Sequence, residues 1–333
     1  MSQLYPLLMT PLFDPRPWGT LDLAPIYPNH KFPEKIGEAW LTGDQCVVKN
    51  GPLAGSKLAG LSQRFGRELV GDTAPEESRF PLLLKFLFPE EKLSVQVHPD
   101  DATAHQHGLP CGKTECWYVV QAKPGAQVGL GLKPGVTGED LAQAIAEMRA
   151  EDSLNWINVY AGEMIYVGGG TVHTIGAGVV LVETQQQSDT TYRLYDYGRP
   201  RELHLKDGLA AVKVDSTAGK VMRPAPTAVD GGANRFSRLV SAPHFEVGMY
   251  ELKEPHTFMA GDGTGKSAAQ ILTAVEGCGV VEVAGKEPVT FAKGEAVVVP
   301  AGLGSFQVRP QWAVEFLISA VPEVGNPEPA VRR

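Results

Sequence analysis

No stretch of this sequence comes near the roughly 18 uninterrupted apolar residues of a membrane-spanning helix, so no membrane partner is expected. The N-terminal residues, Met1 to Gly19, lack the basic start and unbroken apolar core of a secretory signal. Basic residues are in the minority: 30 Lys and Arg against 38 Asp and Glu leave a formal net charge of -8. That balance excludes the basic footprint of a nucleic-acid binder, while a local basic pocket for a small anion stays compatible with it. Cysteine is scarce, and Cys46, Cys111, Cys116 and Cys278 show no CxxC spacing. A chain of 333 residues can bury a core without disulfide staples. We therefore read the thiols as free and the compartment as the reducing cytoplasm, with Cys111 and Cys116 as outside candidates for metal ligation.

What the chain has in quantity is glycine and proline, 37 and 26 residues, between short apolar stretches. Pro81–Phe88, Leu93–His98, Glu115–Gln121, Glu163–Val167, Val179–Thr184 and Thr191–Tyr197 are rich in β-branched and aromatic residues and read as strands. Many short strands with frequent turn signals predict a mainly β chain, built as barrels or jelly rolls. Two segments read as helices. Gly138–Asp152 sets Leu141, Ile145 and Met148 on one apolar stripe, and Gly55–Leu69 is a glycine-broken second. Length suggests two domains at about 150 residues each: 1–215, with the helical insertions, and 235–333, joined by a Pro-, Ala- and Gly-containing linker at 216–234. One internal repeat supports two related units. Gly162-Glu-Met-Ile-Tyr-Val-Gly-Gly-Gly-Thr-Val-His173 overlays Gly294-Glu-Ala-Val-Val-Val-Pro-Ala-Gly-Leu-Gly-Ser305, with His at the end of the first copy and Ser at the end of the second.

Gln96 and His98 stand two apart in Leu93-Ser-Val-Gln-Val-His98. On a strand, residues i and i+2 share a face, so both enter one interior while Val95 and Val97 point away. Glu115 opens the next strand, and His173 follows the Gly168-Gly-Gly170 turn. Two imidazoles, a carboxylate and an amide oxygen suit a borderline divalent ion such as zinc. His105 and His107 lie in a polar segment that reads as a solvated loop.

At these residues the sequence resembles the type I mannose-6-phosphate isomerases, in their shorter bacterial form. The matching segments are Asn50-Gly-Pro-Leu-Ala-Gly55, Leu93-Ser-Val-Gln-Val-His-Pro-Asp-Asp101, Gly112-Lys-Thr-Glu-Cys-Trp-Tyr118, Gly170-Thr-Val-His173 and Ser188-Asp-Thr-Thr-Tyr-Arg-Leu-Tyr-Asp-Tyr-Gly-Arg199. The resemblance spans roughly residues 5 to 320. It implies two cupin barrels, the first with one zinc ion on Gln96, His98, Glu115 and His173, the second without ligands. It places the family's catalytic arginine on Arg193, its lysine on Lys113 and its aspartate on Asp189. Gly112 stands where longer members of the family carry a histidine. The implied partner is a phosphorylated hexose, and the implied reaction interconverts mannose 6-phosphate and fructose 6-phosphate.

That reaction moves a proton between C1 and C2 through an enediolate, which calls for a Lewis acid and a fixed cation beside the developing charge. Arg193 fits the cation. Lys113, Asp189 and Glu183 are all candidates for proton transfer, Lys113 equally for phosphate binding, and Ser94 for a hydrogen bond to phosphate. A cupin dioxygenase and a non-catalytic sugar-binding cupin are the competing readings. Lys113 and the long Thr190–Arg199 signature disfavour the first, and the lack of a helix-turn-helix or basic segment disfavours the second. The oligomeric state is left open.

Overall fold

The computed structural model describes residues 4–76, 78–260, 266–323 and 326–332. The expected strands form, shifted by a residue or two at their ends: Leu82–Leu87, Val95–Val97, Glu115–Ala122, Met164–Val167, Val179–Gln186 and Tyr192–Tyr195. They belong to two of the three sheets formed by the described residues, which have eight, five and ten strands, none closed on itself. The eight-stranded sheet runs Leu12–Thr20, Ile36–Trp40, Leu82–Leu87, Val179–Gln186, Glu115–Ala122, Met164–Val167, Ala218–Val221 and Val331–Arg332. The five-stranded sheet orders Tyr192–Tyr195, Val95–Val97, His173–Ile175, Gln127–Leu132 and Leu154–Asn158.

Strand alternation explains why these two sheets face each other rather than join edge to edge. Trp117, Val119 and Leu181 of the first share a buried cluster with Val128, Leu130 and Ile175 of the second. The intervening side chains of the first sheet, among them Leu84, Phe86, Cys116 and Val182, turn to the opposite side and meet Val247, Met249, Ile271 and Leu317 of the ten-stranded sheet. Packing across an apolar layer therefore closes the first half of the fold where backbone hydrogen bonds do not. The ten-stranded sheet curls over its own core of Leu272, Val281, Phe291, Val297, Phe306 and Phe316. Phe316 is fully buried there. Phe316→Ala is expected to lower stability by about 3–5 kcal/mol, read as an earlier chemical-denaturation midpoint.

The two halves exchange their ends. Leu7–Thr10 pairs with Ala296–Val299, and Val331–Arg332 pairs with Ala218–Val221. The segment 216–234, expected as linker, carries Ala218–Val221 against Met164–Val167, and Thr227–Val229 against Asn234–Ser241. Its Pro and Gly residues interrupt pairing between these short strands without preventing it.

Three local expectations change. The first helix ends at Ala146, and Met148 takes φ 57 and stands exposed, so the stripe stops at Ile145. Gly66, at φ 50, splits the second helical segment into Leu58–Phe65 and Arg67–Val70. His105 lies within a short helix, Asp101–Gln106, and His107 caps it, because the Asp100 side chain accepts from Thr103 N at 2.9 Å. Both histidines remain exposed.

The repeat has a structural counterpart. Gly162 and Gly294 share left-handed φ values of 85 and 87, each just ahead of a buried four-residue strand, Met164–Val167 or Ala296–Val299. His173 and Ser305 each begin the strand that follows the next turn.

Candidate metal centre

The eight- and five-stranded sheets bring three potential ligands to one point. His98, Glu115 and His173 offer atoms that all lie within 4.8 Å of one another, and all three side chains are buried. His173 Nε2 is 3.3 Å from Glu115 Oε1, and His98 Nε2 is 3.5 Å from Glu115 Oε2. The register explains the meeting: His173 is paired with Gln96 across the five-stranded sheet, and Glu115 faces the same interior from the opposite sheet. Gln96 completes the group, its amide nitrogen 3.2 Å from His173 Nε2. A half-turn of that amide presents oxygen to the same point.

The backbone fixes the tautomers. His98 Nδ1 donates to the Thr190 carbonyl and His173 Nδ1 to the Thr171 carbonyl, each at 2.9 Å. Each ring therefore turns the Nε2 lone pair inward, the form a metal requires. Burial disfavours the imidazolium, pushing His173 down to about 4 and His98 well below its ordinary value, the latter helped by the Lys113 charge. Glu115 Oε2 is buried and takes no hydrogen bond. A neutral–neutral–anionic set of inward lone pairs fits a divalent cation. Lys113 aims its ammonium at the same atoms, with Nζ 3.1 Å from His98 Nε2 and 3.2 Å from Glu115 Oε2.

Beside this cluster opens a cavity of about 430 Å³. Ser94, Gln96, Lys113, Glu183, Asp189 and Arg193 all line it, so the sequence candidates converge on one cleft. Their settings differ. Ser94 is buried and donates to Gln96 Oε1 at 3.2 Å. Asp189 is exposed. Arg193 donates through Nη1 to the Glu202 carbonyl at 2.8 Å, and its buried Nε has no hydrogen-bond partner. Burial and then the like charge of Arg201 lower the Arg193 pKa. Glu183 is pushed up by burial and by Glu115.

Sequence reasoning missed the buried ion network in the wall of the cleft. Lys85 Nζ lies 3.2 Å from Glu183 Oε1 and 3.4 Å from Glu38 Oε2, and Arg16 Nε lies 3.3 Å from Glu38 Oε1. Burial opposes ionisation of both partners. Lys85 and Arg16 nevertheless hold Glu38 down to about 2, and Glu183 with Glu38 raises Lys85. Trp117 was also missed; its indole N–H donates to both Glu115 Oε1 and Glu183 Oε2, at 3.2 and 3.1 Å. A lysine amid the apolar run Leu82-Leu-Leu-Lys-Phe-Leu87 was the available signal, because lysine is seldom fully buried unpaired.

Other candidates stand apart. Cys116 points to the opposite face of its strand, and Cys111 donates its thiol to the Gln187 carbonyl at 3.4 Å. At Gly112 an added Cβ would come within 2.5–2.7 Å of the backbone of Pro99, Asp100 and Asp101, so no side chain fits without movement. The same backbone amide donates to Asp101 Oδ1 at 2.7 Å.

Comparison with known proteins identifies the family of the chain. Residues 22–124 match the family described as "Phosphomannose isomerase type I, catalytic domain". The chain is 35% identical over 317 residues to mannose-6-phosphate isomerase ManA of Bacillus subtilis, covering 91% of this chain and 96% of that protein. It is 35% identical over 313 residues to mannose-6-phosphate isomerase of Streptococcus mutans, covering 91% and 94%. A crystal structure of mannose 6-phosphate isomerase from Bacillus subtilis superposes with a TM-score of 0.82 at 30% identity, covering 94% of this chain and 99% of that one.

Proposed function

Because the chain belongs to the type I phosphomannose isomerases, we propose that it interconverts mannose 6-phosphate and fructose 6-phosphate in the cleft beside His98, Glu115 and His173. The observation that carries the reading is the convergence of two inward imidazole lone pairs and a buried carboxylate at the wall of a cavity lined by Lys113 and Arg193. We take Gln96, His98, Glu115 and His173 as the ligands of one zinc ion per chain. A bound zinc ion supplies Lewis-acid stabilisation of the enediolate oxygens.

The protein's own groups supply the rest. Trp117 and the two backbone carbonyls hold the ligands in their orientation. Arg193, with an unpartnered Nε, offers a fixed donor and positive charge to the oxyanion as C2 or C1 loses its proton. Lys113 reaches the ligand atoms and lies 3.9 Å from Glu183, so a proton can be held at Lys113 Nζ or at the Glu183 carboxyl beside the reacting carbons. Asp189, exposed at the cleft, is the outer acid–base candidate, and Ser94 shares the wall where a phosphate oxygen can accept from it. The surrounding sheets form two cupin-like halves, 1–215 and 235–333 about a 216–234 connection, with the second serving structure. No helix among the described residues is long and apolar enough to cross a membrane, in keeping with a cytoplasmic setting.

The decisive test is a coupled assay that follows mannose 6-phosphate to fructose 6-phosphate before chelation, after chelation and after zinc is restored. Full activity in a rigorously metal-free preparation rejects the metal-dependent mechanism; no turnover by metal-loaded protein rejects the isomerase. Arg193→Ala should keep its metal and lose about 100-fold or more in kcat. A normal kcat with only a raised KM would reassign Arg193 to ground-state binding.

A further inference from the structure

The likeness between the two halves runs past the repeat into the strand pairing. In the first half Glu115 pairs with Val167; in the second, Gln270 pairs with Val299, which holds the place of Val167 in the repeat. His173 pairs with Gln96, and Ser305, at the place of His173, pairs with Met259. One strand further, Glu183 lies between Trp117 and Lys85, while Ile318 lies between Leu272 and Gly248. On the next strand Glu38 sits opposite Leu87, and Phe236 opposite Tyr250. One pairing fixes the register of the rest, so these positions correspond residue by residue.

A second cavity, of about 330 Å³, opens at the corresponding place. Phe236, Gly248, Tyr250, Met259 and Ile318 line it, as Glu38, Lys85, Leu87, Gln96 and Glu183 line the first cleft. The ionic network and the metal-ligating types are thus replaced by an aromatic wall. Gly248 makes room for that wall: an added Cβ there would come within 2.5 Å of the Phe236 ring. Phe236 and Tyr250 are half-buried, with ring centroids 4.7 Å apart. Phe258 and His256 continue the wall, 4.9 and 5.3 Å from Tyr250. Two further ionisable side chains line the cavity. Arg238 is exposed and forms no ion pair among the described residues. Glu246 Oε1 accepts from Ser241 Oγ and Asn326 Nδ2, each at 2.9 Å. His256 is already paired with Asp230. One cation beside one anion leaves no net charge to attract a phosphate, and favours a neutral ligand.

We propose that, beyond its structural part, the second half holds here a metal-free binding site for a neutral hexopyranose. The C–H face of such a ring packs on flat aromatic side chains, while its hydroxyls accept from Arg238 and donate to Glu246. A mostly apolar concavity with a few placed polar groups is the usual form of a small-ligand site. The choice of a sugar among small amphipathic molecules rests on the isomerase reading of the corresponding cleft; the cavity and its lining do not.

Methyl α-D-mannopyranoside is the probe, because it is neutral and its locked ring cannot open for isomerisation. Calorimetric titration and saturation-transfer NMR on the zinc-loaded protein should show one site with a dissociation constant of roughly 0.1–10 mM, as befits a small ligand with few contacts. Arg238→Ala and Phe236→Leu should each weaken binding about tenfold or more. Arg238 is exposed, so its variant keeps the test open should Phe236→Leu fail to fold. Binding should survive chelation and Arg193→Ala, since neither the ion nor the first cleft takes part. No binding by the wild type would overturn the proposal, as would unchanged affinity in either variant that folds. Loss of binding on chelation would place the glycoside in the first cleft and overturn it equally. None of these measurements reads turnover, so failure of this site and failure of the isomerase reading are told apart.

Discussion

Glu115→Ala should purify without bound metal and turn over about a thousandfold more slowly than the wild type, or not measurably. Glu115 is the shared partner of both imidazoles, at 3.3 and 3.5 Å, and supplies the only anionic ligand of the proposed set. Its removal leaves two neutral rings and an amide, a set with far weaker hold on a divalent cation. Lewis-acid stabilisation is worth several kcal/mol, and each 1.36 kcal/mol is about tenfold in rate. His98→Ala and His173→Ala should behave alike. Ser305→Ala is the control: Ser305 holds the equivalent place in the second half, is exposed, and should leave activity and metal content unchanged. Metal analysis beside kcat checks the set. Two tightly bound ions per wild-type chain, one of them lost on changing the second half, would contradict the assignment of that half to structure.

Lys85→Met should cost about 3–5 kcal/mol at neutral pH, the usual cost of removing one partner from a buried ion network. Lys85 is 3% exposed and lies between Glu38 and Glu183, themselves 6% and 3% exposed, so its removal leaves two nearly buried carboxylates without their shared cation. The defect should shrink in acid. In the wild type the folded Glu38 pKa, about 2, lies below the ordinary glutamate value of 4.5. The stability tied to that depression is fully present above about 4.5 and is lost as pH falls towards 2. The variant has lost the Lys85 share of this depression, so the two proteins should differ most near pH 7 and converge below pH 4.5. Denaturant midpoints at about pH 7 and about pH 2.5 measure it. An equal loss at both values would mean that the aliphatic stem of Lys85, rather than its charge, supports the site.

The site and the fold were legible to different depths, and strand geometry explains the difference. A two-residue period is written directly into sequence, so Gln96 and His98 on one face and Val95 and Val97 on the other could be read from the chain. The structure sends the two valines to a separate apolar cluster. The His–Ser alternation at the end of the repeat was equally visible, and so was the absence of a side chain at 112. Metal-ligating residue types in recognisable segments named the cluster before any coordinates did.

Lys85 shows what that reasoning could not reach. Its strand reads as an apolar run, and only pairing brings Glu183 directly opposite it and lays Glu38 two strands of the sheet away from Glu183. Likewise the sequence holds many acids and arginines between 189 and 202, but spacing along a loop does not say which pairs form. Asp196 chooses Arg199 and Arg201 because the turn after Tyr195 folds them around it. Thus the sequence by itself determined the strands, their faces and the residue types of the candidate metal cluster, since these follow from local periodicity and residue type. Only the tertiary structure decided that three open sheets meet by packing, that the chain's two ends cross between them, and which buried charges neutralise one another, because those depend on contacts between residues far apart in the chain.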